Sequence, residues 1–367
     1  LVARDSNSTS AWQVVGWSGI AAGILILSFY SVIAGICLNY IFIAATSAGA
    51  IDSAEQFGNI ISSPLNLLAW HTLFMFLTAT IVSAGINNGI GRMVKILMPM
   101  LGVLLIFMVI NGILSGGFAR AFSFLFAPDF SEVDSNTFLS AMGQAFFSLS
   151  LGMGSIMAYG AYMPKEQKII PTSFTVASLD TLVAIFAGLA IFPIIFAFGL
   201  EPNSGPGLVF ESLQTAFNQM SYGQIVGPLF FILLSVAALS SSISLLEPGV
   251  AFISEEGFMS RKLAAISISL LTWTLGIGTV LSFNLWSDFN LTPGRNFLDS
   301  MDFIANQILL PLGGMLIAIF VGWFMDKNLI NEEIGHVNPI LFGIWRFFVK
   351  FIAPISVAII FYNAIFG

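Results

Sequence analysis

Charge is what this sequence has least of. Asp, Glu, Lys and Arg make up 8% of its 367 residues, against about a quarter in an ordinary soluble domain. A soluble fold of this length covers its outside with charge, so a chain this poor in it must face something apolar. Cysteine is nearly missing as well: the single one, Cys37, lies in an apolar run. Disulfides and cysteine-ligated metals are thereby excluded, and Cys37 reads as a small packing residue. The 2 histidines stand far apart, and neither an intramembrane His-Glu zinc motif nor a Ser-Lys or Ser-His arrangement is visible. The chain therefore does not read as an enzyme. A net charge of −7 without any basic cluster argues against nucleic acid as a partner.

What is present is hydrophobic length. Hydrophobic residues make up 57% of the chain, and the mean hydropathy is +0.93. Runs of about 20 apolar residues cross hydrocarbon as helices. Nine spans are predicted, at about 13–44, 65–85, 91–114, 136–162, 170–199, 224–253, 261–285, 298–326 and 339–364. The Gly-, Pro-, Asn- and Ser-rich stretches Thr46–Pro64 and Glu201–Gly223 read as loops. The fold class is all-α: a polytopic membrane protein, one transmembrane domain over residues 1–367, in the lipid of a cell inner (plasma) membrane. No segment resembles a cleavable signal peptide, and the abrupt start from Leu1 to Trp12, without Met, points to a truncated N-terminus. Orientation follows from the basic residues. With the start cytoplasmic, the inner side collects Arg4, Arg92, Lys95, Lys165, Lys168, Arg261, Lys262, Lys327, Arg346 and Lys350. The outer side then keeps only Arg120 and Arg295, and the C-terminus lies outside.

Polar groups at membrane depth single themselves out. The fourth span carries Phe147-Ser148-Leu149-Ser150-Leu151-Gly152-Met153-Gly154, two hydroxyls followed by Gly-x-Gly. Either the small residues let helices approach closely, or the helix unwinds there and exposes carbonyls to a cation. The sixth span carries Ala237 and then Ser240-Ser241-Ser242. Those serines supply interhelical hydrogen bonds or back-bonding to the preceding turn, or hard oxygens for a desolvated Na⁺. Asp180 is the one acid of the fifth span, and a carboxylate at that depth is a functional candidate by default. Tyr30 offers a hydroxyl in the first span, or packs as an aromatic. His71, near the outer end of the second span, reads as an interfacial packing residue. Asp299 and Asp302 open the eighth span, suited to a gate or to the helix dipole.

Taken in order, the motifs resemble the neurotransmitter:sodium symporter family, in its bacterial amino-acid transporter branch. The anchors are Gly89-Ile90-Gly91-Arg92, Lys95-Ile96, Met98-Pro99, Phe124-Leu125-Phe126-Ala127-Pro128-Asp129-Phe130, and Gly143-Gln144 running into Phe147 to Gly152. Tyr159-Gly160-Ala161-Tyr162, the Ser240–Ser242 run and Leu298-Asp299-Ser300-Met301-Asp302-Phe303 complete the set. The resemblance implies an inverted-repeat transporter fold with broken helices at the substrate site. It also implies that the nine spans are the family's helices three to eleven, the first two being absent. It places Ala237, Ser240 and Ser241 at one sodium site, and Ser148 and Asp180 at the other. Ile26, Tyr30, Phe147, Ser148, Ser150, Met153, Ser241 and Leu245 would line the substrate pocket. Tyr30 would bond the substrate carboxylate, Phe147 would close over it, and Asp302 would belong to the outer gate. The loop Gly205 to Phe210 resembles the outer loop that caps the vestibule.

Two departures carry information. The family commonly has asparagine at the position of Asp180, and its chloride-dependent members have serine where this chain has Ala184. A fixed carboxylate beside Ser148 would offset the charge of sodium as chloride does, because a lone cation in a low-dielectric pocket needs a nearby anion. Chloride-independent coupling is expected. Met153 stands where an aromatic is frequent, and its flexible thioether leaves the pocket adaptable. The expected activity is sodium-coupled symport of a neutral, hydrophobic amino acid by alternating access, with Na⁺ ions and no organic cofactor. Two alternatives stay open: a proton-coupled transporter or exchanger using Asp180, and a non-transporting sensor or subunit.

Overall fold

The computed structural model describes residues 9–46, 52–164, 166–202, 205–334 and 338–366. Arg4 and Lys165, counted above for orientation, lie outside them. In chain order the helices are α1 (Gln13–Thr46), α2 (Ser53–Ile61), α3 (Pro64–Ser83), α4 (Ile86–Leu114), α5 (Phe118–Phe126), α6 (Ser135–Ser148) and α7 (Ser155–Ala161). There follow α8 (Ile169–Ala197), α9 (Leu213–Gln219), α10 (Gly223–Glu255), α11 (Arg261–Ser282), α12 (Phe297–Phe324), α13 (Lys327–Ile334) and α14 (Pro339–Asn363). Among the described residues, 8 helices are long and apolar enough to cross a bilayer. In hydrocarbon every backbone group must be satisfied inside the segment, which is why apolar runs of this length become helices.

These long helices match eight of the nine predicted spans. The remaining one, 136–162, is the pair α6 and α7 with non-helical chain between them. The two stretches read as loops need correcting. Residues 46–64 hold α2, whose N-cap Asp52 accepts from the Ala54 amide and which turns Phe57 and Ile60 inward. Residues 201–223 hold α9, preceded by the π-helical turn Leu208–Ser212, with Leu213, Ala216 and Phe217 buried. Both helices are short and amphipathic, so their polar faces masked a helical spacing of apolar residues.

Helix α1 runs through the interior. Toward α9 it joins a cluster built on Tyr40, Phe210, Phe217, Phe230 and Phe231. Tyr40 lies 4.9 Å from both Phe210 and Phe231, centroid to centroid. Cys37 is buried in the same cluster, as a packing residue would be. Further along, Ala22, Ile26 and Leu27 pack with Leu245, Leu246 and Ile268. His71 also corrects an expectation. It is fully buried rather than interfacial, with Nε2 3.2 Å from the Trp273 carbonyl. The ring fits because residue 276 is glycine: a Cβ there would sit 2.5 Å from it.

Candidate functional site at the helix break

Between α6 and α7 the backbone leaves the helical region. Ser150 has φ +57°, Gly152 +85° and Gly154 +80°. Glycine reaches that region freely, whereas Ser150 does so at a cost of about 1–2 kcal/mol. Tight packing holds the segment. A Cβ on Gly152 would lie 2.4 Å from the Leu310 carbonyl oxygen, and one on Gly19 of α1 would lie 2.9 Å from the Gly154 nitrogen. Non-helical chain at membrane depth is tolerated where it is buried in protein or lines a cavity. Of the two readings of Gly-x-Gly, the structure displays the unwound one.

The residues assigned to the pocket divide. Ile26, Met153 and Leu245 are buried in one apolar cluster, with Tyr30 half-buried against it. The Tyr30 hydroxyl lies beside that of Ser241, whose residue is exposed. Ser150 is half-buried within the break. Phe147 stands apart at 39% exposure. It lines a cavity of about 500 Å³ with Gln144, Asn306, Gln307 and Leu310.

The residues assigned to sodium also fall in two places. The Ser148 hydroxyl, at the last turn of α6, donates to Asp180 Oδ2 at 2.9 Å. Asp180 is half-buried and, among the described residues, has no cation beside it. On α10 the serine run splits by direction. Ser240 donates back to the Ala237 carbonyl at 2.8 Å. Ser242 is fully buried, bonded to the Leu239 carbonyl and to Thr78 on α3, both at 2.8 Å. Ser241, an exposed residue, sets its hydroxyl beside that of Tyr30 on α1. Back-bonding and interhelical bonding therefore both occur, and they account for Ser242 completely.

At the far end, Asp302 accepts from Asn306 Nδ2 at 2.6 Å. It borders a second hollow with Arg295, Asp299 and Gln307, and the Arg295 guanidinium lies over the Phe303 ring at 4.0 Å. Asp299 follows the N-cap Asn296, whose side chain accepts from the Asp299 amide.

Reasoning from sequence missed one group altogether. Glu247, inside α10, is fully buried. Arg261 Nη1 and Nη2 donate to its two carboxylate oxygens at 2.9 and 2.6 Å, and the Tyr162 hydroxyl donates to Oε1 at 2.6 Å. Two further bonds run along the same face of α7. Ser155 Oγ donates to the Ser244 carbonyl at 2.8 Å, and the Tyr159 hydroxyl pairs with Ser244 Oγ at 2.9 Å. Positions 155, 159 and 162 share one helix face, so α7 is laced to α10 along its whole length. The acid in Leu246-Glu247-Pro248, interrupting an apolar run just as Asp180 does, was the available signal.

Comparison with known proteins agrees with this architecture. Residues 51–367 match the Sodium:neurotransmitter symporter family. The sodium-dependent transporter YhdH of Bacillus subtilis (strain 168), itself uncharacterized, is 35% identical over 365 residues, covering 97% of this chain and 80% of that protein. An uncharacterized sodium-dependent transporter of Haemophilus influenzae is 33% identical over 376 residues, covering 100% of this chain and 82% of its own length. The crystal structure of MhsT in complex with L-phenylalanine superposes with a TM-score of 0.88 at 46% identity, covering 96% of this chain and 81% of that one. A helical bundle broken at mid-length, matched along nearly its whole extent, leaves one conclusion: the chain belongs to the sodium:neurotransmitter symporter family.

Proposed function

We propose that this protein couples the entry of Na⁺ to that of a neutral, hydrophobic amino acid without a need for chloride. The observation that carries the reading is Asp180: a carboxylate at membrane depth whose partner is the Ser148 hydroxyl, beside the unwound segment. A carboxylate with a hydroxyl partner and no protein cation supplies the negative charge and hard oxygens that a desolvating Na⁺ requires. On α10, the Ala237 carbonyl and the hydroxyls of Ser240 and Ser241 are the oxygens of a second sodium position. The substrate lies between Tyr30, which donates to its carboxylate, and the apolar surface of Ile26, Met153 and Leu245. Ser150 and Ser148 stand at the margin, and Phe147 closes over it. That apolar surface favours a hydrophobic side chain, as does the complex of the related MhsT with L-phenylalanine.

Alternating access follows from the asymmetry of the break. The α7 end is laced to α10 and to the Glu247–Arg261 pair. Closure at the Arg261 end, the side that the distribution of basic residues puts in the cytoplasm, rests on these bonds. At the α6 end, Phe147 lines a cavity, and Asp302 borders a separate hollow at the start of α12. Reconstitution in proteoliposomes, with Na⁺ against K⁺ and chloride against gluconate, tests the reading. Uptake or binding of L-phenylalanine or leucine that needs Na⁺ and ignores chloride is expected. Uptake that ignores Na⁺ and follows a proton gradient would overturn it in favour of proton coupling through Asp180.

A further inference from the structure

Two cations on α14 form no ion pair among the described residues. Lys350 lies in the π-helical turn Phe348–Ile352 of α14, opposite the π-helical turn Phe320–Phe324 of α12. Such turns are uncommon and frequent at functional sites. The two helices touch there: a Cβ on Gly322 would lie 3.0 Å from Lys350 Cγ. Trp323 Nε1–H donates to the Lys350 carbonyl at 3.3 Å, and the Lys350 ammonium sits 4.5 Å from the Trp323 ring centre. One turn away on α14, Arg346 buries Nη1 without a hydrogen-bond partner. Asp326, Glu332 and Glu333 are the acids nearest in sequence, yet among the described residues neither cation forms an ion pair. A buried guanidinium nitrogen left without an acceptor is costly, so an acceptor belongs there.

Depth and surroundings identify its chemistry. A Cβ on Gly313 of α12 would lie 2.8 Å from the Gly152 carbonyl oxygen at the helix break. Gly322 stands nine residues further along, about 13 Å at helical rise. With the break at the bilayer centre, as the proposed transport cycle has it, that distance reaches the edge of the roughly 30 Å hydrocarbon layer. Around the cations Trp323, Phe347 and Phe351 are exposed, an apolar wall beside positive charge. A guanidinium fork suits phosphate oxygens, and an ammonium adds a point charge. We propose that Arg346 and Lys350 bind the phosphate of an anionic phospholipid, whose glycerol and acyl chains lie along Trp323, Phe347 and Phe351.

The test is native mass spectrometry of the purified chain with phosphatidylglycerol and phosphatidylcholine of identical acyl chains, alongside thermal unfolding. Selective retention of phosphatidylglycerol is expected, with affinity falling about five-fold for each of R346Q and K350Q. K350R should keep it. If R346Q does not fold, K350Q carries the test alone, since its ammonium lies on the surface of an indole. K262Q, at the start of α11, should leave the preference unchanged. Phosphatidylglycerol binding that survives R346Q/K350Q would overturn the proposal, as would an equal loss in K262Q. Protection by sn-glycerol 1-phosphate at the same concentration would overturn it in favour of a free-phosphate site.

Discussion

Glu247 and Asp180 are both carboxylates inside long apolar helices, and the structure treats them in opposite ways. Glu247 is sealed from solvent and met by three donors: two guanidinium nitrogens of Arg261 and the hydroxyl of Tyr162. Asp180 is half-buried and met by a single serine hydroxyl. A carboxylate that is already neutralised and fully bonded has nothing left to offer a mobile cation, so Glu247 acts as a fastening. One that is half-buried and met by a hydroxyl keeps its charge and spare lone pairs, which is what the proposed sodium site would use. Intramembrane acids are functional candidates by default. Their partners decide which function.

The comparison breaks most easily at Glu247. Glu247→Ala strands the Arg261 guanidinium and should destabilise the protein by about 3–5 kcal/mol, read as a lower unfolding midpoint in detergent. Replacing Glu247 and Arg261 together with apolar residues should recover most of that loss. An E247A protein as stable as the parent would end the fastening role. Tyr162→Phe removes one charge-assisted bond and leaves the ion pair, so a smaller loss of about 1.5–3 kcal/mol is expected in the same assay.

Asp180→Asn should move stability by no more than about 1 kcal/mol, because its bond to Ser148 is partly solvated. Its effect belongs instead in ligand binding. Sodium titration of amino-acid binding should show at least a ten-fold weaker response, about 1.4 kcal/mol, or a new dependence on chloride. Unchanged binding with no chloride requirement would remove Asp180 from the sodium site.

Asp129 sharpens the contrast from outside the membrane. Exposed between α5 and α6, it accepts from the Ser131 hydroxyl and amide, which hold its carboxyl below the ordinary range. Its contribution to stability is therefore present above the ordinary carboxylate range and is lost as pH falls through the lowered value. Ser131→Ala should bring the titration of Asp129 back up, visible by NMR, with no measurable change in unfolding at neutral pH. A hydroxyl partner tunes an exposed carboxylate slightly. The same partner at membrane depth is part of the proposed sodium site.

Much of this architecture was legible beforehand, for a physical reason. Hydrocarbon compels apolar runs to become helices of a set length, so the span at 223–255 or 169–197 could be placed within a few residues. The break was half legible: Ser148 to Gly154 weakens the helix there, but the same small residues equally suit close helix packing. Pairing was not legible. Arg261 lies fourteen residues beyond Glu247, across the turn into α11, and Tyr162 eighty-five before it. No local pattern announces that the three converge. Nor does a run of three serines say which hydroxyl turns toward Thr78 and which toward Tyr30. Residues 53–61 looked like loop because amphipathic helices at a membrane surface carry polar residues in plenty.

By itself, then, the sequence determined that the chain crosses a membrane repeatedly as helices, and it marked Gly-x-Gly as a weak point in one crossing. Those outcomes follow from local chemistry: transfer of side chains out of water, and backbone bonds that close within a single segment. Only the tertiary structure decided that Glu247 is neutralised, that His71 is interior, that Phe147 borders a cavity, and that Arg346 and Lys350 form no ion pair among the described residues. Each of these depends on which residue from a distant helix arrives within about 3–5 Å, a distance at which charge and hydrogen bonding act and over which sequence order has no hold.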